Sequence, residues 1–306
     1  MNIKSILIVG GTGMLGEPVA RRLAKDGYKV RVFTHTLEKA RAKFGTEFEI
    51  FTSDVEDPAL LEKAMQGCWG VHVNLYGGPD PDLERRGVQN IARAAVKAGL
   101  QRLTYISGAT VQEANTWYVG TRAKFEAEKA IRESGLPYTI FRAASFVESL
   151  PQYVRGKQAN VIGKQPFPRF WVAAEDYARM ASTAYADPEA ANKTLYILGP
   201  QALTIREALQ AYCGIVSPEA KVSAMPLWMA PIIARLFGVK ELANALPYIR
   251  YSETVGESGD PTEANALLGA PKITLEQWSR TQAAKVEPPP RELKPAVQGD
   301  GSSSAV

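Results

Sequence analysis

The chain has 306 residues, 45% of them apolar, enough for one dinucleotide-sized domain, a smaller appended region and a full core. Its formal net charge is +4 with lysines and arginines scattered along it, so no nucleic-acid-binding stripe is expected. The two cysteines, Cys68 and Cys213, give neither a disulfide framework nor a metal-ligand spacing, and both are expected as buried small residues in a reducing compartment. The expected location is cytoplasmic. The first strand is expected within a few residues of the start, so no signal peptide is expected, and no apolar run reaches the ~18 residues of a membrane span.

Ile6-Leu7-Ile8-Val9 is a short apolar, β-branched-rich run and predicts a strand buried on both faces. The glycines of GGTGMLG follow at once. An amphipathic helix comes next, with Leu15, Val19, Leu23 and Ala24 at helical spacing among Arg21, Arg22 and Lys25. Strand, glycine turn and helix together are the context in which a glycine pattern predicts dinucleotide binding. Gly10 permits the tight turn, Gly13 keeps side-chain atoms off a pyrophosphate, and Gly16 lets the helix lie close to the strand. The helix's free N–H groups and positive dipole end face the phosphates. Thr12, Met14 and Leu15 complete the expected phosphate turn. The G-x-x-G-x-x-G spacing resembles the extended and atypical short-chain dehydrogenase/reductase superfamily, above all its NmrA-like and complex I 39-kDa-subunit-like branch.

Residues 28–34 alternate and predict the second strand. Dinucleotide folds often end this strand in an acid that binds the adenine ribose diol. Here Thr34-His35-Thr36 follows, with no acid, and Lys39, Arg41 and Lys43 lie just beyond. A neutral or basic end leaves room for a 2′-phosphate, so NADP is the expected cofactor and NAD the alternative. Residues 47–52 give a third strand, and Asp54, with Val55 after it, stands where the superfamily meets the adenine ring; a helix cap is the competing role for Asp54. A helix over 58–66 ends at Gly67. Residues 69–75 give a fourth strand, in which His72 is expected as core, and Asn74 and Leu75 take the place that lines the cofactor ribose in the family. After a loop at 77–81, a helix with Val88, Ile91, Ala92, Ala95 and Val96 on one face runs to Gly99, and residues 102–107 give a fifth strand ending at Ser107. This alternation predicts a doubly wound parallel α/β sheet of the Rossmann type, whose ligands sit at the carboxyl ends of its strands.

The family resemblance is most specific at Lys124, Glu128 and the run Ser134-Gly-Leu-Pro-Tyr-Thr-Ile-Phe-Arg142, which holds the sixth strand at 137–142. One turn of helix separates Lys124 from Glu128, so a surface ion pair is one reading. The resemblance implies another: the lysine holds the nicotinamide ribose and an active-site water, and Ala143 to Phe146 turn past the nicotinamide. Ala143 stands where many relatives have proline.

Residues 1–150 are expected to form the NAD(P)-binding domain, and 151–286 a smaller, mainly helical region for substrate or partner that lends the first domain a late strand at 194–198. Asp176 is expected to cap a short helix, and Thr204 to begin one over 204–213. The apolar stretch 226–247 packs on the domain, covers substrate, or meets a partner or membrane surface; packing is the expectation. Helices at 262–268 and 275–284 close the fold, and the Pro-, Gly- and Ser-rich residues 287–306 are expected to be disordered.

Tyrosine-dependent relatives need a phenol four residues before the lysine and a serine or threonine at a strand end. Here Gly120 and Gly108 fall at those places. Tyr118 lies six residues before Lys124, a helical separation expected to rotate it well off the lysine's face. Two functions stay open: an NAD(P)H-dependent reductase of a quinone or conjugated carbonyl compound with Lys124 as its catalytic side chain, or a sensor or assembly protein that binds nicotinamide nucleotide without turnover. Candidate substrate-pocket aromatics are Phe146, Phe170 and Trp171.

Overall fold

The computed structural model describes residues 3–286, Pro79 excepted; the tail at 287–306 lies outside the described residues. In chain order the first half alternates: β1 (Ser5–Val9), α1 (Gly16–Lys25), β2 (Lys29–Thr34), α2 (Leu37–Phe44), β3 (Glu49–Thr52), α3 (Pro58–Met65), β4 (Gly70–Val73), α4 (Leu83–Lys97), β5 (Arg102–Gly108), α5 (Val119–Glu133) and β6 (Tyr138–Ala143). Three short strands follow outside the main sheet, β7 (Val154–Arg155), β8 (Gln158–Ile162) and β9 (Arg169–Trp171). Then α6 (Ala174–Ala186) leads to β10 (Lys193–Ile197), which returns to it. The sheet order is β10-β6-β5-β4-β1-β2-β3, and every neighbouring pair is parallel.

Alternation within β1 explains both layers. Ile6 and Ile8 join Val19, Leu23, Phe44 and Tyr177 on the face covered by α1, α2 and α6. Leu7 and Val9 join Leu61, Ile91, Tyr105 and Ile131 on the face covered by α3, α4 and α5. Both faces are dry, so the strands carry the continuous apolar runs of a parallel sheet.

The strand order reverses between β1 and β4, and ligands of such sheets bind in the crevice at that switch point. Gly10 leaves β1 with φ +76°, and a Cβ there would overlap the Asn74 carbonyl that follows β4. A Cβ on Gly16 would overlap the Gly10 carbonyl, so this glycine is what lets α1 start against the turn.

The remaining elements are β11 (Gln201–Leu203), α7 (Ile205–Val216), β12 (Lys221–Met225), α8 (Ala230–Leu236), α9 (Lys240–Ser252), α10 (Thr262–Leu268) and α11 (Leu275–Val286). They form a mainly helical region with two small sheets, β11–β9 and β12–β8–β7, around a separate core that includes Trp171, Leu209 and Leu275. Thr204 caps α7 through a full capping box with Glu207. Asp176 does not cap its helix. It sits inside the first turn of α6, and its carboxylate accepts the backbone N–H groups of Lys272 and Ile273, tying α6 to the segment before α11.

Candidate active site

Sequence-expected residues gather along the carboxyl edge of the sheet. The hydroxyls of Thr12 and Thr34 are 3.2 Å apart, closing the glycine turn onto the end of β2. Gly13 is partly exposed beside them: a Cβ there would meet only the Gly10 carbonyl at 3.2 Å and Asn74 Nδ2 at 4.0 Å. Met14 and His35 are exposed, and Leu15 is half-buried. Lys43 is committed to Glu17 on α1. Asp57, not Asp54, caps α3, its carboxylate accepting Leu60 N–H; the exposed Asp54 carboxylate accepts Glu56 N–H and its carbonyl accepts Asp57 N–H, at the sheet edge beside buried Val55. Asn74 and Leu75 continue β4 into the same edge.

Lys124 pairs with Glu84 on α4 and not with its helical neighbour Glu128. Its Nζ lies 2.5 Å from Glu84 Oε1, and the Tyr105 hydroxyl donates to that same oxygen at 2.7 Å. Glu84 stands in the first turn of α4 with its side chain 6% exposed. Burial and the adjacent Glu84 carboxylate push the Tyr105 phenol well above its ordinary value, so it stays a proton donor to Glu84. The Lys124–Glu128 ion pair does not form. Fully buried Glu128 takes the Ser107 hydroxyl at 2.6 Å, Arg142 at 2.7 Å and Arg132 at 2.6 Å. The Ser107 hydroxyl therefore belongs to the bracing between β5, β6 and α5.

Lys124, Glu84, Gly108 and Ala143 line one end of a cavity of about 280 Å³. A Cβ on Gly108 would sit 4.0 Å from the Lys124 stem, so the two positions are neighbours. The other walls come from Ser145, Phe167, Arg169, Tyr248, Tyr251 and Glu257. Tyr118 also lines the cavity. The helix-rotation argument fails because α5 starts at Val119: Tyr118 precedes the helix in extended backbone, and its ring lies 2.8 Å from where a Gly120 Cβ would be. Burial first, then the neighbouring tyrosines, push its phenol up to about 12. Phe146, Phe170 and Trp171 do not line the cavity; the Trp171 indole donates to the Leu203 carbonyl and is core. His72 is core as well. Its ring bonds Thr104 and Tyr177, and burial pushes its pKa down to about 3.

The pattern of the NmrA-like family matches residues 2–233. The chain belongs to the NmrA-like family. Among relatives, it is 30% identical to the (4-alkanoyl-5-oxo-2,5-dihydrofuran-3-yl)methyl phosphate reductase of Streptomyces griseus over 205 residues, 66% of this chain and 70% of that one. It is 25% identical to the Photosystem II assembly factor Ycf39 of Trieres chinensis, across 84% of this chain and 83% of that one. The solved structure of Citrobacter sp. triphenylmethane reductase complexed with NADP(H) superposes with a TM-score of 0.73 at 22% identity, covering 91% and 99% of the two chains. This NmrA-like chain thus has the Rossmann-type fold of nicotinamide-dependent enzymes, and its relatives include both reductases and assembly factors.

Sequence reasoning missed Glu84, although a signal was present: it falls on the apolar stripe of α4, one turn before Val88, where a charge needs a partner. It also missed Arg169, Tyr248, Tyr251 and Glu257. Nothing in their local sequence pointed to the sheet edge, because they reach it through the packing of the C-terminal region.

Proposed function

We propose that the protein binds a nicotinamide dinucleotide, NADP(H) in preference to NAD(H), and uses it to reduce a quinone or other conjugated carbonyl compound. Gly10, Thr12, Gly13, Met14, Leu15 and Gly16 would hold the pyrophosphate, Thr34 and His35 the phosphorylated ribose, and Asp54 and Val55 the adenine. Asn74, Leu75, Lys124 and Ala143 would line the rest, with Ser107 contributing backbone alone because its hydroxyl is spent on Glu128. When bound, the dinucleotide supplies the hydride. Lys124 is the catalytic residue of this reading, an ammonium fixed by Glu84 that polarises the acceptor oxygen.

The observation that carries this reading is the Lys124–Glu84–Tyr105 arrangement, buried at Glu84 and Tyr105 and opening at the lysine into an aromatic cavity at the carboxyl edge of the sheet. NADPH oxidation with a panel of small quinones tests it. Turnover is expected, and Lys124→Ala should lose about 10²–10⁴-fold of the rate, whereas Tyr118→Phe should keep most of it.

The second reading, a nucleotide-binding sensor or assembly protein, is favoured by one surface feature. Trp228, Ile232, Leu236 and Phe237 are exposed around α8, with Leu236 at 73% and Phe237 at 75%. Among the described residues no helix is long and apolar enough to cross a membrane, so this patch would meet a protein partner or a membrane surface peripherally. Tight NADPH binding without turnover of any acceptor would assign that function instead.

A further inference from the structure

Another part of the cavity wall holds a cation that the reductase reading does not use. Arg169, at the start of β9, is 8% exposed and lines the cavity. Its guanidinium reaches only neutral oxygens. Nη1 donates to the Ser145 hydroxyl at 3.3 Å and to the Tyr248 hydroxyl at 3.4 Å, and Nη2 donates to Gln165 Oε1 at 3.2 Å. Among the described residues no carboxylate oxygen lies within 4.0 Å of it. Glu257, which shares the wall, acts on it only through space. Its Oε1 accepts the Ser145 N–H and hydroxyl, and its Oε2 accepts the Phe170 N–H. Arg142 shows the contrast, since it holds Glu128 at 2.7 Å.

A guanidinium has five donors, and removing it from water is costly unless acceptors or an anion compensate. Three bonds to neutral groups, the Tyr248 ring 5.9 Å away and the Glu257 charge beyond Ser145 hold the cation in place, but none of them is a direct anionic partner. The surroundings are flat and apolar: Tyr118 stacks on Tyr251 at 4.5 Å and 22°, and Tyr248 and Phe167 stand beside them. We propose that this part of the cavity is an anion subsite, and that the acceptor is a flat conjugated ring compound whose carboxylate, sulfonate or phosphate is received by Arg169. That the ligand is an electron acceptor rests on the proposed reductase function; the subsite does not.

Calorimetry on the NADP⁺-loaded full chain reads the subsite without turnover, using naphthalenesulfonate and its uncharged counterpart naphthylmethanol. The sulfonate should bind about ten- to hundredfold more tightly. The preference should collapse in Arg169→Gln and return in part in Arg169→Lys, which keeps the charge but not the fork. Equal affinities, or no sulfonate binding, in the unmodified protein overturn the subsite, as does a preference that survives Arg169→Gln. The first comparison needs no variant, so a folding defect cannot mask it. A sulfonate preference without NADPH-linked turnover would remove the reductase reading and leave the subsite. Turnover of quinones with no preference for acidic ones would do the reverse.

Discussion

Replacing Lys124 with methionine keeps the stem beside Tyr105 and Gly108 but removes the ammonium from Glu84. Glu84 would then hold a carboxylate, 6% exposed, with one neutral donor, Tyr105, at 2.7 Å. Leaving a buried charge uncompensated costs about 3–5 kcal/mol. The retained phenol, and a lysine already 26% exposed, put this case near about 3 kcal/mol. Glu84→Gln alone should cost about 1–2 kcal/mol, because its amide oxygen still accepts from both partners. In the double variant the orphaned charge is gone, and about 1–1.5 kcal/mol of destabilisation remains. The pair should therefore show a coupling of about 3 kcal/mol in a double-mutant cycle, read from urea unfolding midpoints at constant slope. Additivity within about 0.5 kcal/mol would refute the assignment of Glu84 as the lysine's electrostatic partner. The same cycle separates structure from chemistry. If Lys124 serves only the ion pair, the double variant recovers both stability and rate; if the ammonium acts on the acceptor, stability returns and the rate does not.

Gly13→Val should abolish NADPH binding in calorimetry, since its branched side chain would stand where the backbone of the glycine turn is to approach the pyrophosphate; an unchanged affinity would sink the proposed cofactor site. Among the buried groups His72 and Glu148 carry opposed pH dependences, and Glu257, also raised by burial, adds in the direction of Glu148. His72, pushed down to about 3 from 6.5 by burial, contributes stability that is complete above pH 6.5 and is lost as pH falls toward 3, at about 1.4 kcal/mol per unit. Glu148, pushed up to about 7 from 4.5 by burial, contributes stability that is complete below pH 4.5 and is lost as pH rises toward 7. The His72 and Glu148 slopes oppose each other between pH 4.5 and 6.5, so Glu148→Gln should unmask a rise across that window, at most about 2–3 kcal/mol because Glu257 still opposes it. A flat stability profile in that variant would contradict the assignment.

The parallel sheet was legible because its signals are local. Apolar runs of strand length, glycine turns and one-faced helices each sit within a dozen residues, and six of the seven sheet strands show them before β10 closes the edge. The same holds for the glycine turn and the positions after β2 and β4, which the parallel register carries to one edge. The lysine's partner was not legible, because Glu84 and Lys124 meet across the α4–α5 contact and no helical spacing relates them. Glu128, at the helical spacing, was drawn instead to two arginines and a serine hydroxyl. The substrate side was least legible. Tyr248, Tyr251 and Glu257 come from α9 and the chain after it, and the small strands β7, β8, β9, β11 and β12 that place this region are too short to show a period. The apolar stretch 226–247 divides accordingly: Ala230, Ala234 and Leu246 are buried, while Trp228, Leu236 and Phe237 remain exposed.

Tyr118 and Gly120 decide which acceptors the site can serve. Without a side chain, Gly120 leaves room one turn before Lys124, and Tyr118 fills it from outside the helix. The phenol thereby reaches the cavity but does not become an acid. A phenol paired with an ammonium is lowered in pKa, whereas Tyr118 is pushed up to about 12, by burial and by Tyr248, Tyr76 and Tyr251, with no lowering from Lys124. The Lys124 ammonium is held against Glu84 instead. In the proposed reaction the site thus offers a positive charge fixed by Glu84, and the Tyr118 phenol is not paired with that ammonium in the way that would make it a readier proton donor. Hydride addition to a simple ketone produces an alkoxide, a strong base that needs a proton as it forms. Addition to a quinone or a conjugated carbonyl spreads the charge over the conjugated system, giving a weakly basic anion that a nearby ammonium stabilises and water protonates later. Aliphatic ketones should accordingly give no NADPH oxidation under conditions in which small quinones do. Comparable kcat/KM for the two classes would show that a proton donor acts at this site, and Tyr118→Phe would then identify whether it is this phenol.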